Sequence, residues 1–415
     1  MAAPRILAVA YGGGHIAMLL PVLRALRARL PGLHVDLLAL TTARRVAQLQ
    51  GESPLGYAEL LHLLNDSERE RALALGAALQ DGNSHPDITA AETRAYLGVN
   101  ALDLELQLGA DAARQLLRER GRHGFYPIRF FERVIAALRP DLVLATNSPR
   151  SEQAAVDAAA AAGVPSLAVL DLFGLPGDAF AARTAHPDRV CVLAPAVADN
   201  LVAAGWPRER IRVTGNPAFD ALHSGEARAA ARQLRQRLGW QRRRAVLLAA
   251  QPEPRDHPDT RWGAGDALAL ALEAQLRAWV AQRPDCALLV RHHPNAWHRL
   301  PRLPDTDAVH FSVPGEEAIE PLLLAADAVV VQTTTVGLQA ATLGIPVLSM
   351  RCSPGARGGL DYAALGIARG VALVDDLPRE LDALLADPPA PTAWARPRLA
   401  ADAVAQETID LLPRN

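Results

Sequence analysis

The stretch from Asp327 to Met350, DAVVVQTTTVGLQAATLGIPVLSM, constrains the fold more than any other part of the chain. It opens with an apolar run, Ala328 to Val331, of a length suited to a fully buried strand. The polar residues Gln332, Thr333, Thr334 and Thr335 stand where that strand should end. A helix-like stretch, Val336 to Thr342, follows; Gly344 closes it, and Ile345 to Met350 reads as the next strand. A crossover that carries a helix is how parallel neighbours in a sheet are joined. Ligands of open parallel sheets settle outside the carboxyl ends of the strands. The free N–H groups of a helix start favour an anion such as a phosphate, and threonine hydroxyls add donors. The same threonines also serve as plain N-caps with no ligand.

At 415 residues the chain is long enough for two or three domains. Half of it is hydrophobic and 21% is charged, which allows a sizeable core. A net charge of −2 lacks the basic footprint of a nucleic-acid binder, so no nucleic-acid partner is expected. There is no lysine, which excludes a Schiff-base lysine, a pyridoxal-phosphate lysine and a Walker-type lysine. Cys191, Cys286 and Cys352 are odd in number and far apart. They read as reduced core thiols of a cytosolic protein, not as disulfides or zinc ligands. The N-terminus runs straight into a strand and a glycine turn, so no signal peptide is expected. No window is long and apolar enough to span a membrane. The expected location is the cytoplasm, with a peripheral contact to the inner membrane left open.

Taken in order, Arg5 to Tyr11 is a strand, Gly12, Gly13 and Gly14 a turn, and about Ile16 to Leu30 a helix. Glycine lets the backbone approach a ligand closely, which makes this an acceptor or phosphate loop. His15 at the helix start is a candidate general base or anion ligand, or else a first-turn histidine bonded locally. His34 to Ala39 is a second strand. From Gly51 to Gly124 the pattern is helical and polar, an insertion in the N-terminal domain. Strands resume at Asp141–Ala145, followed by the polar turn Thr146–Arg150, and at Val164–Leu170, followed by Asp171. A carboxylate at that edge acts as a base, holds a sugar hydroxyl, or merely starts a turn. Val190–Leu193 and Ile211–Val213 complete the series, the latter leading into Gly215 and Asn216.

A second series begins at Ala245–Ala250, which ends in Gln251 and runs on to Pro254 and Arg255. A helix is expected from Trp262 to Gln282, then a strand Cys286–Val290 ending in Arg291, His292, His293, Pro294 and Asn295. Val371–Val374 is the expected last strand. The domains are placed at 1–222 and 223–395, with a final helix in 396–415 that packs back on the first domain.

Two such series, each ending in polar turns at a shared cleft, resemble the GT-B glycosyltransferases and the related non-hydrolysing UDP-N-acetylglucosamine 2-epimerases. RERIRVTGNPAFDAL, Arg208 to Leu222, is similar to that superfamily's interdomain segment. ADAVVVQTTTVGLQAATLGIPVLSMR is similar to its donor-phosphate loop, LLVRHHPN to its strand-end motif near the nucleotide, and YGGGH to the N-terminal glycine loop of several transferases. The resemblance covers most of the chain apart from about residues 50–124. It implies an α/β protein with two Rossmann-like, doubly wound domains facing a cleft. Where the epimerases carry a glycine pair and then adjacent glutamates, this chain has Thr334–Thr335 and Gln339–Ala340.

Those departures favour transfer over epimerisation, which needs several acid/base groups. The expected function is therefore a glycosyltransferase that moves a sugar from a nucleotide donor, UDP-linked by resemblance, to a glycan, lipid or small-molecule acceptor. His15 or Asp171 would deprotonate the acceptor. Gly215, Asn216, Arg291, His292, His293, Gln332, Thr333, Thr334, Thr335 and Gln339 would bind the donor. No metal or other cofactor is expected, and the assembly is a monomer or homodimer. The alternatives are an epimerase or nucleotide-sugar hydrolase on the same fold, and a non-catalytic nucleotide-sugar or glycan-binding protein.

Overall fold

The computed structural model describes residues 3–82, 85–253, 265–294, 296–357, 360–396 and 399–413. Pro254, Arg255, Trp262 and Asn295, which the sequence reading placed at strand ends and in a helix, lie outside them. The chain divides into two compact units, Met1–Asp220 with Leu399–Asn415, and Ala221–Arg398.

The first unit is built on β1 (Arg5–Tyr11), β2 (His34–Leu40), β3 (Leu142–Ala145), β4 (Ser166–Val169), β5 (Arg189–Val192) and β6 (Ile211–Val213). They form one sheet in the order β2-β1-β3-β4-β5-β6, and every pairing is parallel. Alternate side chains of a strand face opposite ways, so β1 feeds two cores. Leu7 and Val9 pack with Leu38, Val143 and the insertion, and Ile6, Ala8 and Ala10 pack with the helix Gly13–Arg29.

The insertion is helical, as its periodicity indicates, and its main helices are Asp66–Leu79 and Ala90–Leu108. Small residues let these two approach closely. A Cβ on Gly76 would lie 2.0 Å from the Arg94 carbonyl oxygen, and one on Gly98 would lie 1.9 Å from that of Ala72. Asn65 and Glu68 form a reciprocal capping box at the start of the first helix. The insertion is tied to the helix Ser151–Ala161 by Tyr57, whose hydroxyl pairs with Ser151 Oγ at 2.8 Å. The helix Ala400–Leu411 returns to this unit, buries Val404 and Ala405 in the core of the helix Gly13–Arg29, and is capped by Asp220 through Ala400 N and Ala401 N.

The second unit repeats the scheme with β7 (Arg244–Ala250), β8 (Cys286–His292), β9 (Val309–Phe311), β10 (Ala328–Val331), β11 (Val347–Met350) and β12 (Arg369–Val371). Their order is β12-β11-β10-β7-β8-β9, again all parallel. Two elements depart from the sequence reading. β8 extends through Arg291 to His292, because β7 continues beside it to Ala250. β12 lies earlier than Val371–Val374, since it pairs only along Leu348–Met350 before the chain turns at Val374–Asp376 into the helix Leu377–Ala386. The three cysteines are buried thiols that form no disulfide among the described residues. Among the described residues no helix is long and apolar enough to cross a membrane.

Candidate active site

In the first unit β1 ends at Tyr11, and the chain turns at Gly12 with φ +92°, a conformation that side chains rarely adopt. Gly12 N donates to the Leu40 carbonyl at 3.1 Å and Gly13 N to Thr42 Oγ1 at 3.1 Å. The helix starts at Gly13, not near Ile16, so Gly13, Gly14 and His15 form its first turn. Two of the N–H groups expected to face a ligand are thus spent on the protein's own oxygens.

His15 is the centre of this corner. Its Nδ1 lies 3.0 Å from Glu152 Oε1, and its Nε2 lies 3.8 Å from Asp171 Oδ2. Glu152 is fully buried in the first turn of the helix Ser151–Ala161. Its Oε1 also accepts from Tyr11 N at 2.7 Å and from Thr146 Oγ1, while its Oε2 accepts from Ser148 N. So many donors hold Glu152 as a fixed carboxylate, and it in turn orients the imidazole, with Nε2 turned toward Asp171. Burial pushes the His15 pKa down. The hydrogen bond and charge of Glu152, with the charge of Asp171, outweigh burial and Arg150, so the pKa rises above the ordinary 6.5. Asp171 follows β4, and its N–H donates to Asn147 Oδ1 at 3.4 Å.

The structure therefore brings together His15 and Asp171, the two residues singled out for proton transfer, and adds Glu152. Sequence reasoning passed over Glu152 because an acidic residue in a first helical turn is ordinary. The one available signal was its place directly after the polar turn Thr146–Arg150, at the carboxyl edge of β3.

In the second unit a pocket of about 440 Å3 opens at the carboxyl ends of β7, β8 and β10. Arg291, His292, His293, Thr333, Thr334, Thr335 and Gln339 line it. Thr334 caps the helix Thr335–Thr342, with its Oγ1 accepting from Val336 N at 3.0 Å, and Tyr362 Oη donates to the Thr334 carbonyl at 3.0 Å. Because β8 runs on, Arg291 and His292 face opposite sides of the sheet. Arg291 Nη1 donates to Ser312 Oγ at 2.7 Å and to the Glu317 carbonyl at 2.9 Å. Burial pushes its pKa down, against the charges of Glu317 and Glu320. His292 is fully buried, with Nε2 2.8 Å from Glu273 Oε2, and the same glutamate accepts from Arg277 Nε at 2.7 Å. Its ring is thus held from beneath the pocket, and its polar contact is to the core. Exposed His293 remains at the rim.

One donor-binding expectation needs correction. Gln332 is fully buried and does not line the pocket. Its Nε2 donates to the Gln251 carbonyl and to Glu253 Oε1, and its Oε1 accepts from Gln251 N, so it bolts β10 to the end of β7. Gly215 and Asn216 belong to the first unit. Gly215 N donates to the Val192 carbonyl, and Asn216 Oδ1 accepts from Ala218 N, so both shape the turn after β6. Gln251 and Glu253 had not been singled out. Gln251 Nε2 donates to Thr333 Oγ1 at 2.7 Å and so sets the threonine turn, while Glu253 holds Ser353 Oγ and Gly355 N. Among the described residues no group of three or more His, Cys, Asp and Glu is placed to hold a metal.

The chain has the GT-B fold of the UDP-N-acetylglucosamine 2-epimerases. A Listeria monocytogenes protein classed as such an epimerase shares 17% identity over 98% of this chain and 95% of that one, with a TM-score of 0.60. The UDP-GlcNAc 2-epimerase of Methanocaldococcus jannaschii shares 12% over 98% and 99%, with a TM-score of 0.56. That of Neisseria meningitidis, solved bound to UDP-GlcNAc, shares 13% over 99% and 100%, with a TM-score of 0.55. At such identities the likeness is one of fold. In sequence, the family model described as UDP-N-acetylglucosamine 2-epimerase matches residues 184–360, a span that contains the whole lining of the second-unit pocket. No curated protein matches the chain.

Proposed function

We propose that the protein acts on a UDP-activated sugar and that its reaction is epimerisation of a UDP-N-acetylhexosamine at C2. The observation that carries this reading is the Glu152–His15–Asp171 set. Epimerisation requires a proton taken from C2, elimination of the nucleotide and a proton returned to C2, hence more than one proton-handling group. The departures at Thr334–Thr335 and Gln339–Ala340 point the sequence toward transfer instead. With Glu152 orienting His15, the imidazole and Asp171 become two groups able to exchange protons. The family match over residues 184–360 and the fold support the same branch.

In this reading the second-unit pocket takes the UDP moiety. The start of the helix Thr335–Thr342 and the hydroxyls of Thr333 and Thr335 meet the diphosphate, and His293 adds a donor at the rim. Donors fixed in advance stabilise the charge that develops on the leaving nucleotide without a metal ion. Gln339 reaches the ribose or the sugar.

One observation favours the second reading, transfer to an acceptor. Thr334–Thr335 and Gln339–Ala340 stand where the epimerases carry glycines and glutamates, and a carboxylate-oriented imidazole is also a suitable base for an acceptor hydroxyl. Incubation with UDP-GlcNAc in D2O without acceptor, followed by proton NMR, separates the two. Deuterium at C2 together with the C2 epimer is the expected result. A donor left unchanged until an acceptor is added would refute epimerisation in favour of transfer.

A further inference from the structure

Within the first unit a second cavity, of about 250 Å3, lies at the carboxyl ends of β1 and β2. Tyr11, Thr41 and Thr42 form its sheet side, and Thr93, Tyr96 and Leu97 of the helix Ala90–Leu108 stand opposite. The rest of its lining belongs to the insertion as well. None of these residues falls within 184–360, so the family match does not reach this cavity. It meets the proton-handling set at Tyr11, whose N–H donates to Glu152 Oε1.

Thr41 marks the cavity most clearly. Its φ is +56°, in the left-handed region, where a β-branched residue is an outlier. Its side chain makes no cap hydrogen bond to the helix Thr42–Leu49 that follows. A strained backbone thus presents to the cavity a hydroxyl that the fold does not use, and strain of this kind collects at ligand clamps. The hydroxyl of half-buried Thr93 likewise bonds no described residue. Thr42 Oγ1 accepts from Gly13 N at 3.1 Å, which leaves its proton free to donate.

Charge offers little basis for recognition here. Glu92 is 4% exposed, and its two oxygens accept from Tyr57 N and Ala58 N, both at 2.9 Å. His85 and Arg122 are exposed to solvent. What the wall offers is three hydroxyls able to donate, two of them also free to accept, beside two tyrosine rings. Those rings are tilted by 46°, with centroids 6.1 Å apart. Sugar hydroxyls both donate and accept, and electron-rich aromatic faces suit the C–H groups of a sugar ring. The volume lies below the range of about 300–1,000 Å3 usual for drug-sized ligands, which suits one ring and not a nucleotide sugar.

We propose that this cavity binds a single sugar ring, held by the hydroxyls of Thr41, Thr42 and Thr93 against Tyr11 and Tyr96. The site goes beyond the UDP-sugar reading and does not rest on it. A free monosaccharide and the end of a glycan chain present the same ring.

Saturation-transfer NMR on the full chain tests the site, with N-acetylglucosamine, glucose and chitobiose as probes on wild type, Thr41→Gly and Thr93→Val. Each lost hydroxyl contact should weaken binding roughly three- to tenfold. Thr41→Gly should also raise the thermal midpoint, because glycine adopts a positive φ without strain and no cap bond is lost. A more stable protein that binds sugar less well is a result that a purely structural threonine would not give. Equal affinities for N-acetylglucosamine and chitobiose identify a free monosaccharide, and tighter chitobiose identifies a glycan end. Absence of binding to wild type by all three probes overturns the proposal. So does binding of unchanged affinity in both folded variants, since the sugar then sits elsewhere. If Thr41→Gly does not fold, Thr93→Val decides alone. Failure of the UDP-sugar reading shows separately, as wild type that binds no UDP.

Discussion

Replacing Glu152 with glutamine keeps the shape of the side chain and removes its charge. Glu152 now accepts from Tyr11 N at 2.7 Å, His15 Nδ1 at 3.0 Å, Thr146 Oγ1 and Ser148 N. In glutamine one oxygen becomes an amide nitrogen, and that nitrogen meets a donor whichever way it is turned. A buried donor left unsatisfied costs about 1–3 kcal/mol, and hydrogen bonds to a neutral oxygen are weaker than those to a carboxylate. Breaking a buried pair in this way costs about 3–5 kcal/mol in all. At about 2–4 °C per kcal/mol for a domain of this size, the thermal midpoint of the first unit falls by roughly 6–20 °C.

The same change reverses the shift at His15. Without the hydrogen bond and charge of Glu152, burial and the Arg150 charge dominate, and the imidazole pKa drops below the ordinary 6.5. In the wild type the raised pKa means that protonated His15 adds stability below the ordinary value, and this is lost as pH rises through the folded pKa. In Glu152→Gln that sign inverts, and low pH becomes the destabilising condition. NMR titration of the imidazole Cε1 proton, assigned with His15→Ala, reads the pKa directly. The rising limb of the wild-type pH–rate profile should lie above 6.5 and move to lower pH in the variant, while the plateau falls by about 10²–10⁴-fold. A His15 midpoint that stays put, or full activity in the folded variant, would refute the positioning role of Glu152.

Other outcomes follow from the second unit. Thr334→Ala removes the cap on Val336 N; it should cost about 1 kcal/mol in a denaturation experiment and weaken UDP binding by titration. His292→Ala leaves Glu273 buried with Arg277 as its remaining side-chain partner, and should destabilise by about 3–5 kcal/mol. His293→Ala at the exposed rim should stay within about 0.5 kcal/mol of wild type and lower UDP affinity instead. UDP at a hundred times its dissociation constant should stabilise the protein by about 2.7 kcal/mol, with or without magnesium, as a raised thermal midpoint. Stabilisation that depends on magnesium would refute metal-independent binding.

Strand identity was legible because each apolar run is short, bounded by polar or glycine residues, and buried on both faces. β1, β6 and β10 coincide with the sequence reading to the residue. Strand ends were less legible, since they depend on the neighbour. β8 reaches His292 only because β7 lies alongside, and that changed Arg291 and His292 from turn residues into strand residues of opposite facing. The threonine turn, His15 and Asp171 stood out as polar residues at junctions between strands and helices. Glu152 did not, although it is the group that orients His15.

The order of strands, turns and helices, and hence the parallel α/β fold, follows from local pattern, because burial and helix periodicity act over a few neighbouring residues. The pairing of His15 with Glu152, 137 positions away, does not. Nor does the burial of Gln332 against Gln251 and Glu253, or the stacking of Arg150 on Tyr11. Such contacts arise only when parallel strands bring their carboxyl ends to one edge and side chains distant in sequence compete for the same donors and acceptors.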